Sequence, residues 1–264
     1  MSDLNIEKTN VNYNAVWILA KRELLSFWRN KSRVISSFVQ GILFLFVFGM
    51  GFSQFNIFIN GVQVDSRAFT ASGISAMIIL FTGIFGGMAV FRDKMFGFMK
   101  ELLVAPVSRR TLMLGRTVGI ALQTMIQVLI MIALSVGFGF FGYDVNLIWR
   151  VMLIIPIAFL ASLGIVGIGL TISTRLSDMQ SFGLIQTFII MPMMWLSGAL
   201  IAFPSEFQFI LMFNPFSYSV DLFRFVLVGV SYFPFWIDLV VTVIFGVILI
   251  LIGARSFNKM EISQ

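Results

Sequence analysis

The sequence predicts an all-α membrane protein. It has six transmembrane helices, an N-terminal amphipathic interfacial helix, and a short outer re-entrant helical segment between the fifth and sixth spans. Three observations lead there. The 264 residues are 59% hydrophobic and only 11% charged, against about 25% charged in a soluble domain. The charges are gathered into a few places, which leaves long charge-free windows between them. Those windows lack the alternation of barrel strands, and lipid tolerates only helices or closed barrels.

Residues 1–33 form a polar N-terminal region. Within it "NAVWILAKRELLSFWRNK" (Asn14 to Lys31) has helical periodicity. Trp17, Ile18, Ala20, Leu24, Leu25, Phe27 and Trp28 share one broad face; Arg22, Glu23, Ser26, Arg29 and Asn30 fill the opposite arc. Lys21 intrudes on the apolar face and Leu19 on the polar one. Tryptophans beside basic residues suit the headgroup layer, so Trp17, Arg22, Trp28 and Arg29 are the candidate interfacial residues. Their role is either a surface anchor or a contact with a partner. The region lacks the pattern of a cleavable signal peptide, and Ser2 stands where myristoylation needs glycine.

Residues 34–254 are the six-span transmembrane domain. Its charge-free windows are Val34–Val64, Ala68–Phe91, Thr117–Tyr143, Val151–Thr174, Met179–Ser205 and Leu239–Ala254. A helix needs about 20 residues to cross the hydrocarbon. The last window reaches that length if it begins near Phe235, with Asp238 at the interface. Pro156 and Pro192 are expected to kink the fourth and fifth spans, and Gly83 and Gly87 have the spacing of a close helix contact.

Charge sets the orientation. Lys8, Lys21, Arg22, Arg29, Lys31 and Arg33 precede the first span; Arg92, Lys94, Lys100, Arg109, Arg110 and Arg116 follow the second. Arg175, Arg255 and Lys259 fall on the same side, and only Arg67, Arg150 and Arg224 on the other. The basic side is expected to be cytoplasmic. Both termini, including the tail 255–264, then lie inside a multi-pass protein of the cell membrane. The net charge of +6 reports this asymmetry, so nucleic acid is not needed to explain it.

Two segments break the apolar pattern. The loop 92–116, with "FRDKMFGFMKELLVAPVSRR" (Phe91 to Arg110) at its start, reads as helix, break, helix. Pro106 disfavours helix at Ala105, and Ser108 is placed to cap the next helix. The connector 203–235 is apolar but interrupted by Pro204, Glu206, Pro215, Asp221, Arg224 and Pro234. It reads as two short helices, re-entrant or interfacial. Asp221 and Arg224, three residues apart, are within reach on one face, and paired charges are cheaper to hold near lipid than single ones.

These two segments carry a resemblance. "KELLVAPVSRRTLMLGR" (Lys100–Arg116), then Ser197-Gly198, Pro204 and "NPFSYSVDLFR" (Asn214 to Arg224) resemble ABC-type exporter permeases of the drug-, lipid- and polysaccharide-exporting class. The likeness is to the daunorubicin-resistance-type membrane subunits above all. The resemblance implies a dimer of permeases, each with an ABC-type ATP-binding subunit that binds the ATP and magnesium, so this chain itself holds no cofactor. It further implies that Lys100, Glu101, Leu102, Leu103, Pro106 and Arg109 meet that subunit as a coupling helix, and that Asn214, Pro215, Asp221 and Arg224 help close the exit side. The lead-in with Phe96, Phe98 and Met99 is more hydrophobic than the family pattern.

The residues limit other functions. No G-x-x-x-x-G-K-[ST] phosphate loop occurs, so an ATP-driven exporter needs a second polypeptide. With neither cysteine nor histidine, thiol and imidazole chemistry are excluded, and no catalytic or metal-binding residue is assigned. An ATP-independent secondary transporter or channel is the alternative. The span interiors offer it no ionisable residue as a carrier of protons or sodium.

Overall fold

The computed structural model describes residues 11–96, 108–142, 146–176 and 178–258, and it is mostly helical. In chain order the elements are α1 (Tyr13–Arg29), α2 (Lys31–Gly51), β1 (Ile57–Ile59), β2 (Val62–Val64), α3 (Ser66–Met95), α4 (Arg109–Gly137) and α5 (Leu147–Arg175). Then come α6 (Met179–Ile185), a π-helical turn (Gln186–Ile190), α7 (Met191–Trp195), a 3-10 turn (Ser205–Phe207), α8 (Phe209–Phe213), α9 (Pro215–Val228) and α10 (Phe235–Asn258).

Among the described residues, five helices are long and apolar enough to cross a membrane: Val34–Gly51, Ser66–Asp93, Arg109–Gly137, Leu147–Arg175 and Phe235–Ser256. The expected fifth span, Met179–Ser205, is helical only over Met179–Trp195, one unbroken run shorter than the window. It is α6, the π turn and α7, ending at Trp195. Pro192 has no N–H and cannot extend a regular α ladder; the wider π turn stands immediately before it. This π-bulged helix runs antiparallel to α3. Phe182 meets Phe85, and further along Ala199 meets Gly73 near the start of α3.

The second difference lies inside the first charge-free window. The helix stops at Gly51, and the rest of the window forms the hairpin β1–β2, with Ile57 opposite Val64 and Ile59 opposite Val62. The molecule is therefore not purely α-helical. Asn60 and Gly61 take positive φ values of 49° and 81°, which is the geometry that makes Asn-Gly the preferred two-residue hairpin turn.

Helix α3 is the centre of the bundle: 82% of its span is buried, against 18% for α2 and 17% for α10. Small residues permit its closest contact. A Cβ on Gly87 would strike the backbone of Gly169 on α5, and one on Gly83 would strike Ile165. Helix α5 carries a second glycine face, where Gly164 and Gly167 meet Gly246, Leu249 and Ile250 of α10. Backbones come close where side chains are absent, and in lipid that packing is a main source of helix association.

Helix α1 does not simply lie on a surface. Asn12 caps it by accepting a hydrogen bond from the Ala15 N–H, and its Ala20 and Phe27 are buried. It runs lengthwise along α4: Leu19 and Val16 sit on Gly115, and Ala20 and Glu23 on Gly119. Trp17, Arg22, Trp28 and Arg29 stay exposed. The elbow at Asn30 then turns the chain into α2.

Candidate functional site

The charged residues that the fold buries form two clusters at opposite ends of the bundle. At the end carrying α1, the Ser108 hydroxyl accepts a hydrogen bond from the Thr111 N–H and caps α4. Two turns further, Arg116 is almost wholly buried. Its guanidinium bonds the Asp93 carboxylate at the foot of α3 and lies 3.9 Å from Glu23 of α1. A second tie runs between α1 and α4, where the Asn12 N–H donates to Thr111 Oγ1 at 3.2 Å. One arginine thus fastens three helices at the point where the chain leaves α3 and enters α4.

Of the candidate coupling residues, Lys100, Glu101, Leu102, Leu103 and Pro106 lie outside the described residues. Arg109 opens α4 and is exposed, directly after the Ser108 cap. Sequence reasoning grouped Arg116 with the loop charges, whereas it is inside α4 with two carboxylate neighbours. The roles of Glu23 and Asp93 were missed, since pairing across 23 residues or more leaves no periodic trace.

The connector packs at the other end. Asn214 ends α8 and caps α9: its side chain accepts from the Phe216 N–H at 3.1 Å and donates to the Met193 carbonyl at 2.7 Å. Pro215 occupies the first turn, where its missing N–H costs nothing. Helix α9 packs among α3, α5 and α10 and stops at Gly229, whose φ of 90° favours glycine. The expected Asp221–Arg224 pair forms, at 3.7 Å, with both side chains buried.

That pair has partners the spacing did not reveal. Asp221 accepts the backbone N–H groups of Tyr232 and Phe233 at 2.8 and 2.9 Å. Arg224 donates to the Gly198 carbonyl at 2.7 Å, and its guanidinium carbon stands 3.9 Å from the centre of the Phe69 ring. The Tyr232 hydroxyl accepts from the Phe203 N–H at 3.1 Å. Burial pushes the Asp221 carboxyl up from its ordinary value, while Arg224 and the two N–H groups pull it down. Asp238, expected at the interface, is completely buried beside Asp221, near enough for a proton on one carboxyl to bridge to the other.

Between the two ends lies a cleft of about 630 Å³, bounded by α1, α2, α3, α4 and α6. Gln40, Gln123, Gln127 and Thr82 give it a polar lining against Phe81 and Phe85, with the cation Arg92 at one end. Thr82 donates to the Gln127 amide oxygen at 2.5 Å. Amides and a cation beside aromatic rings can hold an amphipathic molecule, and no group of acidic, cysteine or histidine side chains able to bind a metal occurs among the described residues. The glutamines were missed because charge counting treats them as apolar; Gln123 and Gln127, one helical turn apart, were the available signal.

Residues 14–228 match the model of the ABC-2 type transporter family. The chain belongs to that family. Its relatives include proteins named as putative transport permeases, ycf38, of Pyropia yezoensis, Porphyra purpurea and Cyanophora paradoxa. The first is 27% identical over 227 residues, covering 81% of this chain and 74% of that protein. The second is 25% identical over 216 residues, with 79% and 72% covered, and the third 24% identical over 234 residues, with 85% and 80% covered. The chain is thus a multi-pass membrane permease, and an ABC ATP-binding subunit is the partner that family membership implies.

Proposed function

We propose that this permease is the membrane subunit of an ATP-driven exporter of the daunorubicin-resistance-like class. It pairs with a second copy and draws energy from a separate subunit that binds ATP and magnesium. The cargo is a hydrophobic or amphipathic molecule: a drug, a lipid or a glycan. In this reading the π-bulged helix Met179–Trp195 is the sixth crossing, which puts both termini on the cytoplasmic side of the cell membrane. The connector 203–235 is then the re-entrant plug of the exit.

The observation that carries the reading is the Arg116 node. The loop 92–116 leaves α3 at Asp93 and joins α4 at Ser108, and Arg116 ties both flanks to one another and to Glu23 of α1. A push on Lys100, Glu101, Leu102, Leu103, Pro106 and Arg109 by an ATP-binding subunit would reach α1, α3 and α4 together. The polar cleft abuts these same helices, so their movement would change its shape.

The test is reconstitution with the cognate ATP-binding subunit. The purified chain should hydrolyse no ATP alone, and the complex should hydrolyse it. Reversing Glu101 and Arg109 in charge should weaken co-purification at least tenfold while leaving the permease dimer intact. Undiminished assembly and transport would refute the coupling assignment, and ATP-independent flux by the chain alone would favour a secondary transporter or channel.

A further inference from the structure

We propose that the elbow between α1 and α2 is a binding site for the headgroup of an anionic phospholipid. It stands apart from the exporter reading, because it concerns a membrane lipid and not the cargo. A concave groove of about 920 Å³ opens on the outer surface of the elbow, and Lys21, Arg22, Arg29 and Lys31 line it from both helices. No acidic residue lines it; Glu23, the acid nearest in sequence, is turned to Arg116 on the opposite side. None of the four cations forms an ion pair with a described residue, and all four are exposed.

Depth in the membrane selects the ligand. The elbow residue Asn30 lies just before Val34, where the first membrane-crossing window begins. The groove therefore sits at the boundary of water and hydrocarbon, the level of phosphates and glycerol. Ile18 and Leu25 line the same groove and are exposed, which gives the glycerol and upper acyl carbons an apolar floor. A zwitterionic headgroup would bring its own cation into a site that already holds four. An anionic one matches both the charge and the floor.

Each cation near an anionic membrane surface contributes about fivefold to affinity, or about 1 kcal/mol, so removing two lowers it up to ~30-fold. The experiment compares the full chain in nanodiscs of phosphatidylcholine with and without phosphatidylglycerol, with the retained lipid counted by native mass spectrometry. The wild type is expected to retain phosphatidylglycerol preferentially. Lys21→Gln with Arg29→Gln should abolish the preference, and Arg255→Gln, an exposed cation at the same end of the bundle on α10, should keep it. A melting curve shows that each variant is folded. Equal loss in Arg255→Gln would mean general attraction to a basic surface and overturn the site. So would retained preference in the double variant, or loss by that variant of ATP-binding-subunit capture without loss of lipid.

Discussion

Asp221, Arg224 and Asp238 place two carboxyls and one guanidinium together out of water. Removing one partner of a buried, hydrogen-bonded ion pair leaves the other uncompensated, at a cost of about 3–5 kcal/mol. Asp221→Asn should therefore lower the thermal midpoint of the helical signal sharply, and so should Arg224→Met. The same isosteric change at Asp238 removes a second buried carboxyl from beside Asp221 and keeps an amide able to bond it, so it should leave the midpoint unchanged or raise it; a drop as large as that of Asp221→Asn would contradict the arrangement. The Asp221–Arg224 contact was readable from three-residue spacing, as was the Ser108 cap from the Pro106 break before it. The remaining contacts of Arg224 were not. Phe69 and Gly198 lie far from it in sequence, and a charge–ring or charge–carbonyl contact imposes no pattern on intervening residues.

Helix packing explains which glycines matter. Gly87 on α3 and Gly169 on α5 face each other without room for a Cβ, so Gly87→Leu should prevent the α3–α5 contact and reduce the folded yield severely. A Cβ on Gly183 in α6 would meet nothing within 4 Å, so Gly183→Ala should be neutral or stabilise by up to ~1 kcal/mol. Comparable loss of folded protein in both variants would argue against this contact. The Gly83 and Gly87 spacing in the sequence pointed to such a contact but not to its partner. The hairpin was also written in the sequence, as Asn60-Gly61 between β-branched residues. Charge counting merged it with the preceding helix, because a short apolar strand and the end of an apolar helix have the same composition.

Across the whole molecule the charge asymmetry makes a test of topology direct, since the chain contains no cysteine of its own. Ser32→Cys and Glu206→Cys, both exposed, should be labelled from opposite faces of intact membranes; labelling of both from one face would overturn the six-crossing reading. Composition made the membrane class and the long spans legible. It could not separate the buried α3 from the peripheral α2 and α10, because lipid and a helical core present equally apolar surroundings. One contact spans about two thirds of the chain: the Asn60 amide, at the hairpin turn, donates to the Ser231 and Tyr232 carbonyls, 171 and 172 residues later. At a synthesis rate of about 5–20 residues per second, the hairpin waits roughly 10–30 s for its latch to be made. Until then the hairpin sits without its latch, so the order of biosynthesis makes this contact among the last to close.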